Sequence, residues 1–140
     1  MKVTFTIPGA PKGKGRPRFS TYGGHVHAHT PTDTVAYENL VKWAYFHQTD
    51  MKLDGAIKAE ITGYFPIPSS ISAKKKKAME SENTEYTHKV DCDNLAKIIL
   101  DSLNHIAYKD DAQISCLTVH KVYSNSPRVE VTLTELDNDN

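Results

Sequence analysis

The stretch Asp91-Cys-Asp-Asn-Leu-Ala-Lys-Ile-Ile-Leu-Asp-Ser-Leu-Asn-His-Ile-Ala-Tyr-Lys-Asp-Asp111 decides the reading of this chain. From Asn94 onward, Leu95, Ile98, Ile99, Leu103 and Ile106 recur at the three- and four-residue spacing of an amphipathic helix, which predicts a helix of roughly 15 residues. Carboxylates stand at both ends of it. Asp91 and Asp93, two apart on extended backbone, point to the same side. Adjacent carboxylates raise each other's pKa unless positive charge sits between them, and a divalent cation supplies that charge. Helix capping accounts for Asp93 alone. It leaves Asp91 unexplained, and also the pair Asp110-Asp111, placed where the helix dipole disfavours negative charge. Hard oxygen ligands with no required sulfur or imidazole suit Mg²⁺ or Mn²⁺ better than zinc. Lys97, four residues after Asp93, lies about 40° around the helix and one turn along. It serves either as an i,i+4 partner of Asp93 or as a cation that meets a phosphate or a leaving oxygen. Cys92 should face away from the aspartates and into the core.

The opposite charge lies at the other end of the chain. Residues 1 to 32 hold Lys2, Lys12, Lys14, Arg16 and Arg18 and no acid, whereas residues 91 to 111 hold five Asp against two Lys. Overall the 17 basic and 17 acidic residues cancel, so the segregation carries the information. Lys12, Lys14, Arg16 and Arg18 fall on every second residue, and an extended arm would present all four to a row of phosphates. The lysine run Lys74, Lys75, Lys76 and Lys77 and, more weakly, Lys121 are further candidates for holding a nucleic-acid backbone. His25, His27 and His29 also alternate, a pattern more often of surface residues than of metal ligands.

Around these motifs the chain reads as one small domain over residues 1 to 136 with a frayed tail at 137 to 140. Val3, Phe5 and Ile7 alternate along a strand that stops at Pro8-Gly9. Gly and Pro interleave with basic residues from Pro11 to Phe19, which predicts a loop or extended segment. A helix follows over Thr34 to Gln48, capped by Thr32 or Asp33, and a strand over Ala56 to Phe65. Ser69 to Lys89 is polar and is either a short surface helix or a mobile excursion. Strands are expected at Ile114–Tyr123 and Val129–Leu136, joined as a hairpin through Ser124-Asn-Ser-Pro127. This order predicts an α/β class fold, an α+β mixed sheet packed by two main helices.

The chain's 140 residues include two Cys, 92 and 116, too few for a disulfide scaffold. No apolar run approaches the ~18 residues of a membrane span. A cytoplasmic protein is expected.

The segment from Lys89 to Asn104 followed by Tyr108-Lys-Asp-Asp-Ala-Gln-Ile114 resembles the RusA family of Holliday junction resolvases, marked by D-x-D-N-L-x-K, then D-x-L, then D-D-x-Q-[IV]. The opening Ile7-Pro-Gly-Ala-Pro-Lys-Gly-Lys-Gly-Arg-Pro-Arg18 is similar to that of phage-type members. Val90 stands where these usually have proline, and Asn104-His105 replaces a common Asn-Gly turn. The resemblance implies a Mg²⁺- or Mn²⁺-dependent endodeoxyribonuclease with Asp91, Asp93 and Asp111 as metal ligands and Lys97 assisting. It also implies a homodimer that nicks four-way DNA junctions symmetrically in recombination and repair. Two alternatives from other classes stay open: a non-catalytic nucleic-acid-binding module whose acids are structural, and a nucleotide-sugar transferase using D-x-D, for which the chain is short.

Overall fold

A computed structural model describes residues 1–136; the tail expected to fray, 137 to 140, lies outside them. The chain forms β1 (Lys2–Pro8), β2 (Arg18–Tyr22), β3 (His25–His29), α1 (Thr32–Gln48), β4 (Ile57–Pro66), α2 (Ala73–Glu80), α3 (Cys92–Ser102), β5 (Ile114–Ser124) and β6 (Arg128–Glu135). Four strands make a mixed sheet in the order β1-β6-β4-β5, with β5 parallel to β4 and the other neighbours antiparallel. β2 and β3 form a separate two-stranded ribbon. The class is α+β, as the element pattern predicts.

Alternation builds the sheet. Val3, Phe5 and Ile7 of β1, Ile57, Ala59 and Ile61 of β4, and Val129, Val131 and Leu133 of β6 are buried on one face beneath the helices. The intervening Thr4, Thr132 and Glu60 lie on the opposite face, where Thr4 and Thr132 hydroxyls meet at 3.0 Å. α1 seals one side with Tyr37, Val41, Ala44 and Tyr45, and Tyr45 sets its ring edge-on to Phe5 at 5.1 Å. α3 buries Leu95, Ile98 and Ile99 completely, each side chain contributing about 1.5–3 kcal/mol. It lies so close to β4 that a Cβ at Gly63 would stand 2.9 Å from Leu95 Cδ2. The apolar stripe therefore fixes both the height and the rotation of α3, and with them the direction of its polar side.

Three local expectations are corrected. β5 and β6 are not a hairpin, because β4 inserts between them and Ser124 to Pro127 bridges across its end. α1 begins at Thr32 after Pro31, and neither Thr32 nor Asp33 is the cap residue. α3 has 11 residues, leaving the helix at Leu103; Leu103 is still fully buried and Ile106 packs against the core, but from the turns that follow. His105 adopts a φ of 66°, the left-handed conformation that glycine ordinarily supplies in an Asn-Gly turn. Of the two readings of Ser69 to Lys89, the short surface helix is present as Ala73–Glu80, capped by Ser72, which accepts a hydrogen bond from the Lys75 amide.

Candidate functional site

The polar side of α3 carries Asp93, Asn94, Lys97 and Asp101, which the four-residue spacing keeps in one broad stripe. Helix formation begins one residue after Asp91, so Asp91 keeps extended backbone while Asp93 is helical, and the two do not share an extended stretch as expected. Asp91 is the N-cap residue, yet its carboxylate makes no capping hydrogen bond and stays exposed. Asp93, in the first helical turn, is also exposed, as is Cys92, which does not enter the core. Starting the helix early turns Cys92 outward and leaves burial to Leu95 and Ala96.

At the far end of the stripe Asp111 approaches Asp101. The Asp111 amide donates to Asn104 Oδ1 at 2.8 Å, and Gln113 and Asp110 close a reciprocal capping box around the short turn Asp111–Gln113. Partial burial, together with the facing carboxyls of Asp110 and Asp101, pushes the Asp111 pKa up. Asp101 and Asp111 thus form an acid pair that favours a bound cation or a shared proton. Sequence reasoning passed over Asp101, although its place four residues after Lys97 and eight after Asp93 was the available signal. Asp93 and Asp101 are separated by two turns, about 12 Å. Accordingly Asp91, Asp93 and Asp111 do not converge: among the described residues no three His, Cys, Asp or Glu side chains form a group able to hold a metal ion.

The basic segment is not a free arm. Lys14 donates its backbone N–H to Asn94 O at 3.0 Å, and Gly15 N–H donates to Thr34 Oγ1 at 3.1 Å, tying it to both α3 and the start of α1. Lys14 Nζ lies 2.9 Å from Glu38 Oε2 and 3.5 Å from Asp101 Oδ2. Burial opposes its charge, but Glu38 and Asp101 outweigh burial and raise its pKa. The four cations therefore do not share one side. Lys14 turns inward to these acids, Lys12 borders an apolar hollow with Tyr37 and Leu40, Arg16 enters a cleft beside Asp91, and Arg18 begins β2.

That cleft, of about 430 Å³, is lined by Gly13, Lys14, Arg16, Lys89, Val90, Asp91 and Asn94. A neighbouring hollow of about 280 Å³ shares Lys14, Arg16 and Asn94 and adds Pro17, Thr30 and Lys97. Lys97 is exposed there and, among the described residues, makes no ion pair with Asp93 or any other acid. The fit at Gly13 is tight: an added Cβ would fall 1.9 Å from Val90 Cγ2. Gly13→Ala is expected to cost about 1–3 kcal/mol through overpacking and to push Asp91 away from Arg16. A lowered thermal midpoint, with reduced DNA cleavage by the folded fraction, is the outcome to measure.

Lys121 supports this wall of the cleft. Its Nζ donates to His88 O at 2.9 Å and Val90 O at 2.7 Å, so it fixes the segment leading into Asp91 instead of standing on an outer rim. Lys74, Lys75, Lys76 and Lys77 are fully displayed on α2 and line neither hollow. The histidines 25, 27 and 29 share one face of the ribbon without gathering as metal ligands.

A cleft that sets Lys14, Arg16 and Lys89 beside Asp91 and the start of α3 has the cations to seat a phosphodiester backbone. The chain is a member of the RusA endodeoxyribonuclease family: residues 8–134 match the family described as Endodeoxyribonuclease RusA. It is also 38% identical over 137 residues, 96% of each chain, to a protein of Bacillus subtilis (strain 168) called Uncharacterized protein YqaN. The family makes the protein a DNA-cutting enzyme. No helix among the described residues is long and apolar enough to cross a membrane.

Proposed function

We propose that the protein is a Mg²⁺- or Mn²⁺-dependent, structure-specific endodeoxyribonuclease that nicks branched DNA, with the Holliday junction as favoured substrate, in recombination and repair in the cytoplasm. The observation that carries this reading is the Asp101/Asp111 acid pair, joined through the exposed Lys97 to a cationic cleft, in a chain of this family. The donor set fits the cation. Mg²⁺ commonly takes one or two carboxylates and completes its shell with water and phosphate oxygens, and Asp111 has a carboxylate neighbour that leaves it short of positive charge. Asp101 and Asp111 would hold one ion, and Asp91 and Asp93, at the other end of α3, would hold a second, a role the family motif supports. When bound, the ion lowers the pKa of an attacking water and offsets charge on the phosphoryl oxygens.

The protein's own residues do the remaining work. Lys97, free to reach the substrate, stabilises the negative charge that develops on the scissile group. Lys14 holds Asp101 in place and limits repulsion within the acid pair. Arg16 and Lys89 seat the backbone in the cleft; Lys12, Arg18 and the α2 lysines extend that contact without reading bases. Two opposed nicks call for two sites, and a two-fold homodimer supplies them. The test is cleavage of a synthetic four-way junction with separately labelled strands, in Mg²⁺ and in EDTA. Paired nicks in Mg²⁺ alone support the reading; cleavage that persists in EDTA, or a linear duplex cut equally well, refutes it.

A further inference from the structure

The β2–β3 ribbon has no core of its own. Every residue of both strands is exposed, and among the described residues neither strand pairs outside the ribbon. Its register sorts the side chains. Arg18 opposite His29, Ser20 opposite His27 and Tyr22 opposite His25 share one face; Phe19 opposite Ala28 and Thr21 opposite Val26 share the other. One face is thus polar, carrying Arg18, Tyr22 and the three histidines, of which His29 bonds Ser20 and His27 bonds the Tyr22 carbonyl, and the other presents Phe19 and Val26 at 70% and 71% exposure. No acid occurs anywhere in residues 1 to 32.

Position supplies the partner. Pro17 and Thr30, at the ribbon's base, line the hollow that also contains Arg16, Asn94 and Lys97. A backbone seated in that hollow runs directly into the ribbon. A second copy of the chain is a poorer occupant, because four side chains offer far less than the about 800 Å² per partner of a stable interface, and it has no use for the polar face. Nucleic acid uses both faces: phosphates meet donors, and an unstacked base has a π-face for an aromatic ring. Intact duplex hides its base faces, whereas a branch point exposes them.

We propose that the ribbon is the branch-sensing element, with Phe19 and Val26 set against unstacked bases at the branch while Arg18 and the histidines follow a phosphate backbone. This rests on the branched-DNA reading above and assigns its selectivity to residues outside the acid pair. The ribbon, not the cleavage chemistry, distinguishes junction from duplex.

The experiment uses the full chain in EDTA with a four-way junction carrying 2-aminopurine at the branch, and a linear duplex of the same sequence. Wild type is expected to prefer the junction and to raise the 2-aminopurine fluorescence. Phe19→Ser/Val26→Ser should lose about 10-fold in junction affinity and the fluorescence rise, with duplex affinity unchanged, while Phe19→Trp retains both. If wild type prefers the junction and the double variant keeps that preference and the fluorescence response, the ribbon proposal is wrong and the branched-DNA reading stands. If wild type binds junction and duplex equally, the functional reading itself fails. A double variant that sediments as a smaller species than wild type makes the ribbon a self-association surface and overturns the proposal.

Discussion

Asp111→Asn is expected to slow junction cleavage by about 10³-fold, the scale of removing one strong charge-stabilising group, while junction affinity holds or rises. The two effects part because the carboxylate serves a cation in one role and repels phosphate in the other. Removing it abolishes the first and relieves the second. Stability should move the other way from activity. Asp111 faces Asp110 and Asp101 with a raised pKa, so an uncharged amide ends a like-charge contact, and its backbone bond to Asn104 is untouched. The thermal midpoint at neutral pH should therefore rise. Rate, gel-shift affinity and melting on one preparation check all three. Wild-type turnover would remove Asp111 from the site, and a fall in midpoint would make it a structural residue.

Replacing Lys12, Arg16 and Arg18 together by Ala is expected to weaken binding to every DNA and to flatten its salt dependence. Each lost phosphate contact takes about 0.9 from the slope of log affinity against log salt, so the triple variant should lose about 2 to 3. Lys14 is left out because it is bound to Glu38 and Asp101. Lys14→Ala should instead lower the thermal midpoint, by uncovering two partly buried carboxylates, with little change in salt slope. A triple variant with the wild-type slope would show that these cations face solvent in the complex.

The core and the main helices were legible because burial writes a period into the sequence: two along Val3, Phe5 and Ile7, three to four along Leu95, Ile98 and Ile99. The ribbon carried no such mark. With both faces in solvent, Arg18 to His29 buries no alternate residues, and no strand is legible there. The spacing of Lys14 misleads for a related reason. Its two-residue spacing from Arg16 suggests a common face, but what turns it inward is Glu38 on α1 and Asp101 on α3, distant in sequence. The acids at both ends of α3 were found by their spacing. Which of them meet depended on the length of the helix and on the Asn104 contact that brings Asp111 back to Asp101, and neither is local. Likewise, Lys121 was recognised as a cation on a strand, while its hold on the carbonyls of His88 and Val90 follows only from the way residues Thr84 to Tyr86 pair along β5.

The central claim, that the acid pair closing the α3 stripe is a cation site for DNA cleavage, is tested most directly by calorimetric titration of Mn²⁺ into the full-length protein and its Asp101→Asn, Asp111→Asn and Glu60→Gln variants. Saturable binding by wild type and by the Glu60 variant, lost in both aspartate variants, is the predicted result. Equal Mn²⁺ binding by wild type and both aspartate variants would contradict it and place the ion elsewhere.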